Sequence, residues 1–391
     1  MTTGSTGSAT AVAAQQAVRV ERALCSRFRC SMAKCTACAT VCPVPGAVRF
    51  GEQGAEISQA CNGCGACASA CPNGALRPAE SERKLTRRIR RQVRPGAAFR
   101  IACSRSQGSA ELVLPCLARL SEAHVLEAVR GGAQCVEFLA PDCTGCELRK
   151  AAPQWQRTLQ AARSLCRCAG LSEDRVRRRA VPYGQALETA QGSQVNAGRR
   201  ALFRSITERW KATDGPEADH AGAPAPFREV VRKSQENPKR AGLLETLEAL
   251  QDGPARPTPV PALDVSLATL EVDGRCTGCG VCETLCPVGA LSHSDTGGVY
   301  ALKLQPQLCT GCGICQTACF HKAIRLQDSV DLAVLLDRRS VTLFTAPRRA
   351  CRACGEVFMD QSPSEFCPSC LLSGSRRQAI AQRFFSRGEI K

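Results

Sequence analysis

The chain has 391 residues and a formal net charge of +17, and its 28 cysteines outnumber its 12 Phe, 2 Tyr and 2 Trp combined. The length leaves room for two or three domains, and cysteines gathered in metal-type clusters along so long a chain exclude the disulfide framework of a small secreted protein. The first residues show no basic start, continuous apolar region or twin-arginine pair, and no segment approaches the roughly 18 apolar residues of a spanning helix. The expectation is a cytoplasmic protein with no membrane span.

Residues 1–20 are small and polar and read as a disordered tail. Residues 21–80 hold a first pair of cysteine runs. One is complete, Cys61, Cys64, Cys67 and Cys71 followed by Pro72; the other is imperfect, Cys35, Cys38 and Cys42 followed by Pro43, with Cys30 and Cys25 upstream. Short β-like segments at 47–50 and 55–57 separate them. Residues 264–330 repeat this layout with Cys276, Cys279, Cys282 and Cys286, then Cys309, Cys312, Cys315 and Cys319, where Phe320 replaces the usual Pro. A Cys-x2-Cys-x2-Cys run wraps three thiolates around one corner of a [4Fe–4S] cube, and the Cys three residues on reaches the neighbouring cluster. The interleaved glycines permit the positive φ that such loops need.

The strings CNGCGACASACPNGAL, CTGCGVCETLCPVGAL and CTGCGICQTACFHKAI resemble bacterial two-cluster ferredoxins and polyferredoxins. The resemblance implies duplicated ββαβ modules and crossed ligation. Cys276, Cys279, Cys282 and Cys319 would hold one cube, and Cys309, Cys312, Cys315 and Cys286 its neighbour. In the first module Cys61, Cys64, Cys67 and Cys42 would hold one cube, and Cys35, Cys38 and Cys71 the other with an upstream ligand. Local spacing favours Cys30 for that place, and Cys25 reaches it if residues 26–34 form a loop. Four cubes at about −2 each and one tetrathiolate zinc at about −2 would bring the charge to near +7, so much of the basic excess offsets cluster charge.

Residues 81–97 read as a basic helix with Leu85 and Ile89 on one side. The segment suits a solvated face or a docking surface for an acidic redox partner. It has no aromatic residue to stack on bases, which argues against nucleic acid. Residues 98–170 read as a small α/β domain: strands at 98–102, 111–114 and 136–140, with a helix over 117–130 presenting Leu120, Val125, Leu126 and Val129 inward. A parallel crossover follows, and it brings Cys103, Cys116, Cys143 and Cys146 to the carboxyl ends of the strands, where α/β folds place ligands. Cys135, at a strand start, reads as packed. The segments LPCLARLSEA and GAQCVEFLAPDCTGC resemble the iron–sulfur delta subunit of hydrogenase–heterodisulfide reductase systems. That implies a fifth cluster on these four cysteines and contact with a flavin or hydrogenase subunit. A redox dithiol at Cys143 and Cys146, and purely structural thiols, are the alternatives. Cys166 and Cys168 receive no role.

Residues 171–263 read as a helical and Pro/Ala-rich linker region, with helices near 198–212 and 227–250. Residues 331–350 read as a connector and 372–391 as a terminal helix. Residues 351–371 resemble a short zinc ribbon, with Cys351, Cys354, Cys367 and Cys370 on paired knuckles; iron in a rubredoxin-like site is the alternative. The whole reads as an α+β multidomain chain, two ferredoxin-like duplicated modules flanking a small α/β domain, plus the ribbon.

No Gly-rich nucleotide fingerprint appears, the four His are scattered, and no catalytic constellation is present, so the cofactors themselves must carry the function. The expected function is electron transfer between donor and acceptor oxidoreductase subunits, in a chain without catalysis of its own. A redox- or iron-sensing regulator and a cluster-assembly factor are the rivals.

Overall fold

The computed structural model describes residues 17–189, 236–251, 259–261, 265–359 and 364–374. The first cysteine-rich unit runs β1 (Val18–Val20), α1 (Ser26–Arg29), α2 (Ala37–Val41), β2 (Val48–Gly51), β3 (Gly54–Ile57), α3 (Ala66–Ala70) and β4 (Leu76–Pro78). β2 and β3 form an antiparallel hairpin, and β1 pairs antiparallel with β4. The expected tail is therefore too long: Val18–Val20 closes this unit, because Val18 enters its apolar core. Residues 1–16 lie outside the described residues.

Next comes α4 (Glu82–Gln92), with Ser81 Oγ accepting the Lys84 N–H at 3.3 Å as its cap. Leu85 and Ile89 are fully buried on one side, each contributing about 1.5–3 kcal/mol. The opposite side is basic.

The α/β unit contains β5 (Ala98–Cys103), β6 (Gly108–Ala110), β7 (Leu112–Leu114), α5 (Glu122–Arg130), β8 (Cys135–Ala140), α6 (Ala152–Cys168), β9 (Val176–Ala180) and β10 (Ala186–Glu188). Its main sheet has the order β7-β5-β8-β9, parallel throughout. All six residues of β8 are buried, as a central strand covered on both faces requires. The helix expected over 117–130 is divided. Leu117–Arg119 forms a 3-10 turn, and α5 starts after Ser121, whose side chain and that of His124 form a capping box. The unit also continues past residue 170. β9 (VRRRA) escapes a hydrophobic reading because only Val176 is buried. It is an arginine-rich edge strand, and Arg177 and Arg179 reach the buried Glu137 of β8.

α7 (Pro238–Leu250) begins at a Pro in the first turn, with Asn237 Oδ1 accepting from Arg240 N. It is the carboxyl-terminal part of the helix expected over 227–250, since residues 236 and 237 are not helical. The helix expected near 198–212 lies outside the described residues. β11 (Pro259–Pro261) follows.

The second cysteine-rich unit repeats the succession of the first: β12 (Leu270–Val272), α8 (Val281–Leu285), hairpin β13 (Leu291–Thr296) and β14 (Val299–Leu304), α9 (Ile314–Ala318) and β15 (Ile324–Leu326), with β12 antiparallel to β15. β16 (Ser329–Asp331) pairs with β11. The supposed connector is structured: α10 (Leu332–Leu336) precedes the ten-residue β17 (Val341–Ala350), which pairs with β14 and then with β18 (Val357–Met359). Exposed residues along β17 hide its strand pattern, since one face is solvated. Residues 368–374 are helical, and from 375 onward the expected terminal helix lies outside the described residues.

Glu127 ties three helices together. It accepts from Arg90 Nε of α4 at 2.6 Å and from Arg130 of its own helix, and it meets Thr246 Oγ1 of α7 at 3.3 Å. Burial pushes its carboxyl pKa up, but the Arg90 and Arg130 hydrogen bonds outweigh this and hold it below the ordinary range. Its stabilisation is therefore complete above the ordinary carboxylate pKa and is lost as pH falls through the depressed one. Glu127→Gln is expected to cost on the order of 1–2 kcal/mol, discounted because both arginines are part-exposed. A lowered urea midpoint, a flattened acid limb and unchanged iron content would check it.

Candidate metal centres

Local backbone sets the cysteines. Gly65 (φ 77°), Gly280 (φ 72°) and Gly313 (φ 73°) each start a one-turn helix in the left-handed region that L side chains avoid. Those turns, α3, α8 and α9, carry Cys67, Cys282 and Cys315, and the last Cys of each run ends its turn in an extended conformation. Backbone amides then aim at that last sulfur: Ala75 N–H at Cys71 Sγ (3.3 Å), Ala290 at Cys286 (3.2 Å) and Ala323 at Cys319 (3.4 Å).

Thiols of different runs lie close enough to act on one another. Burial pushes Cys38 up to about 12, and the nearby Cys71, Cys35 and Cys25 thiols add to the rise. Burial raises Cys67 too, beside Cys64, Cys38, Cys61 and Cys42. In the second unit Cys276 neighbours Cys279 and Cys319, and Cys282 neighbours Cys276 and Cys279. Cys312, pushed up to about 12 by burial, neighbours Cys286 and Cys309, and Cys315 joins them. Thiols held this deep and this close lose their protons readily only to a metal.

Spacing favours Cys30 for the upstream position, and the structure sets Cys25, not Cys30, beside Cys38. The helical turn α1 separates the two cysteines and carries Cys30 against Ala33 and Ile314, beside Cys312 of the second unit. Gly54, at φ 86°, makes room: a Cβ added there would stand 3.0 Å from Cys25 Sγ.

At the carboxyl edge of the parallel sheet, Cys103, Cys116, Cys143 and Cys146 line one cavity with Leu148 and Trp155. Burial pushes Cys116 up to about 12, and its neighbours are Cys64, Cys103 and Cys143. Leu148 N–H points at Cys146 Sγ (3.3 Å), and Ser106 Oγ lies 3.2 Å from Cys103 Sγ. Cys135 sits at the opposite end of β8 in a packed position, and Cys166 is buried in the apolar core of α6. His124 is structural, with Nε2 3.3 Å from Glu82.

The comparisons bear on these groups. Residues 275–323 match the family model of the 4Fe-4S dicluster domain, and residues 57–77 that of the 4Fe-4S binding domain. Residues 102–194 match the delta subunit of methyl-viologen-reducing hydrogenase, a span that holds all four cavity cysteines. The chain carries ferredoxin-type 4Fe-4S segments on both sides of a hydrogenase-delta-like one. No curated protein matches the chain. The run at Cys35, Cys38 and Cys42 lies outside the matched residues.

The donor chemistry fits iron–sulfur centres: thiol sets, amides directed at sulfur, and walls that keep water away. The four carboxyl-terminal cysteines form a tighter group. All four sulfurs of Cys351, Cys354, Cys367 and Cys370 lie within 4.8 Å of one another. The Cys354–Cys367 separation is 3.8 Å, the edge of a tetrahedron with metal–sulfur bonds of about 2.3 Å. The Cys367 N–H, 3.2 Å from Cys351 Sγ, leads the interactions that draw the Cys351 thiol down to about 6.

Sequence reasoning missed the cations beside the sets: Arg29 faces Cys286, Lys239 faces Cys71 and Arg240 faces Cys309. The Asn237-Pro238 pair signals a helix start, but nothing in the sequence says which surface that helix end meets.

Proposed function

We propose that the chain is an iron–sulfur electron-transfer subunit whose centres stand in single file. Cys103, Cys116, Cys143 and Cys146 would hold the first centre, and Cys61, Cys64, Cys67 and Cys42 the second. Cys25, Cys35, Cys38 and Cys71 would hold the third, Cys286, Cys309, Cys312 and Cys315 the fourth, and Cys276, Cys279, Cys282 and Cys319 the fifth. Bound clusters supply one-electron uptake and release.

The observation that carries the reading is the adjacency of successive foursomes. Cys116 neighbours Cys64, Cys67 neighbours Cys38, and Cys315 neighbours Cys282. The two cysteine-rich units meet between the third and fourth sets, where Thr310 Oγ1 donates to Asn73 Oδ1 at 2.5 Å. Both ends open outward: Cys279 is exposed, and Tyr183 beside the first set is half exposed.

The likeness of residues 102–194 to a hydrogenase delta subunit supports a partner of the oxidoreductase class docking at the first set. α4 speaks against nucleic acid, since Arg88 and Arg90 are engaged with Glu188 and Glu127. Among the described residues no helix is long and apolar enough to cross a membrane. The knuckles Cys351, Cys354, Cys367 and Cys370 would hold one structural zinc. A thiol reagent is expected to release about one Zn²⁺ per chain without bleaching the brown absorbance; redox-active iron there would replace zinc with a rubredoxin-like centre.

Anaerobically purified protein is expected to carry about 16 iron and 16 sulfide on the four ferredoxin-type sets, with more on the first set. It should bleach with dithionite and recover fully, without losing iron, on reoxidation by a viologen. Saturation near about 8 iron, or iron shed at each cycle as a sensor or donor of clusters would shed it, would sink the relay.

A further inference from the structure

The amino-terminal end of α7 is driven between the two cysteine-rich units. Asn237 Nδ2 donates to the Pro72 carbonyl (3.0 Å), and Lys239 Nζ donates to the Ser69 carbonyl, one on each side of Cys71. The next residue turns the other way. Arg240 Nε donates to Gln307 O (2.8 Å), Nη1 to Ser266 O (2.8 Å) and Nη2 to the Cys309 carbonyl. Both side chains are buried, Lys239 8% and Arg240 5% exposed.

Burying a guanidinium is costly, and a structural role would be filled more cheaply by a neutral donor or an ion pair. The hydrogen-bond partners of Arg240 are carbonyl oxygens, which satisfy its N–H groups, and the Glu122 carboxylate offsets part of its charge through space. Lys239 has Glu122 at 4.0 Å, the limit of an ion pair. Two positive charges thus stand on adjacent residues, one toward Cys71 and one toward Cys309. Helix dipole adds to both, since they sit in the first turn of a 13-residue helix.

We propose that Arg240 and Lys239 are potential-setting residues, whose buried charges raise the reduction potentials of the two centres meeting at the unit junction. Those centres are the ones assigned to Cys286, Cys309, Cys312 and Cys315 and to Cys25, Cys35, Cys38 and Cys71, so the inference rests on the function proposed above. One-electron reduction adds one negative charge to a centre and moves no proton. A nearby fixed cation in a low-dielectric setting stabilises that reduced form. The guanidinium stays protonated in both states. The junction then collects electrons arriving from either end, and its occupancy sets the driving force for release.

The test is an EPR-monitored redox titration of the full chain with its iron in place. Arg240→Met keeps the aliphatic stem and removes the charge. It is expected to lower one midpoint by about 59 mV, a tenfold change in the one-electron equilibrium, while Arg240→Lys restores most of it. Lys239→Met should lower the midpoint of the neighbouring centre by less, because the Glu122 carboxylate stands at ion-pair distance from its ammonium. If Arg240→Met sheds iron, Lys239→Met carries the test, and an unmoved midpoint there overturns the inference. A native chain with full iron whose midpoints ignore both substitutions overturns this inference alone. An iron-free native chain overturns it together with the proposed function.

Discussion

Cys25→Ala is expected to remove about four iron atoms per chain, whereas Cys30→Ala should leave the count unchanged. The two cysteines are five positions apart, and the spacing of the run favours the nearer. One helical turn, Ser26–Arg29, separates the two in the fold. The turn leaves Cys25 among Cys35, Cys38 and Cys71, with Gly54 clearing space at its sulfur, and faces Cys30 toward Ile314. An added consequence separates the variants. Cys25 and Cys38 share an apolar core with Val18 and Leu24, so losing the centre should also loosen the strand pair Val18–Val20 and Leu76–Pro78. Hydrogen exchange at those strands should rise in Cys25→Ala only. Iron lost from Cys30→Ala and retained in Cys25→Ala would return the ligand to Cys30.

Cys143→Ser is expected to abolish the centre of the α/β unit while the four ferredoxin-type centres keep their iron. The drop would be about two iron atoms for a two-iron centre and about four for a cube. Cys103 ends β5, Cys116 follows β7, and Cys143 and Cys146 follow β8, three neighbouring parallel strands whose carboxyl ends share one cavity. The consequence for transfer is larger than the iron count. Cys116 lies beside Cys64, so this set is the one through which a partner at the sheet edge would reach the rest of the chain. Reduction through a partner oxidoreductase should fall at least about tenfold while reduction by dithionite is unchanged. Identical iron in native and variant protein, with a reversible Cys143–Cys146 disulfide, would leave the dithiol reading instead.

Much of the cysteine grouping was readable from residue order alone, because thiol sets for metals are built from local spacings. Three complete runs, the paired knuckles and the glycines between ligands are short-range patterns, and a turn of a few residues realises them wherever it lies. The parallel strands carrying Cys103, Cys116 and Cys143 were readable for a similar reason: alternation and a crossover helix leave one topology. Val176–Ala180 and Val341–Ala350 were not, since edge and half-solvated strands take their partners from across the sheet and need no apolar pattern of their own. The placing of Cys25 beside Cys38 and of Cys30 against Ile314 was decided by how one helical turn packs. The adjacency of cysteines from different runs, and the placing of Lys239 and Arg240 by contacts to Ser69 and Cys309, join residues far apart in the chain. Tertiary structure alone decides these, because charge and distance act through space and leave no mark on the order of the chain.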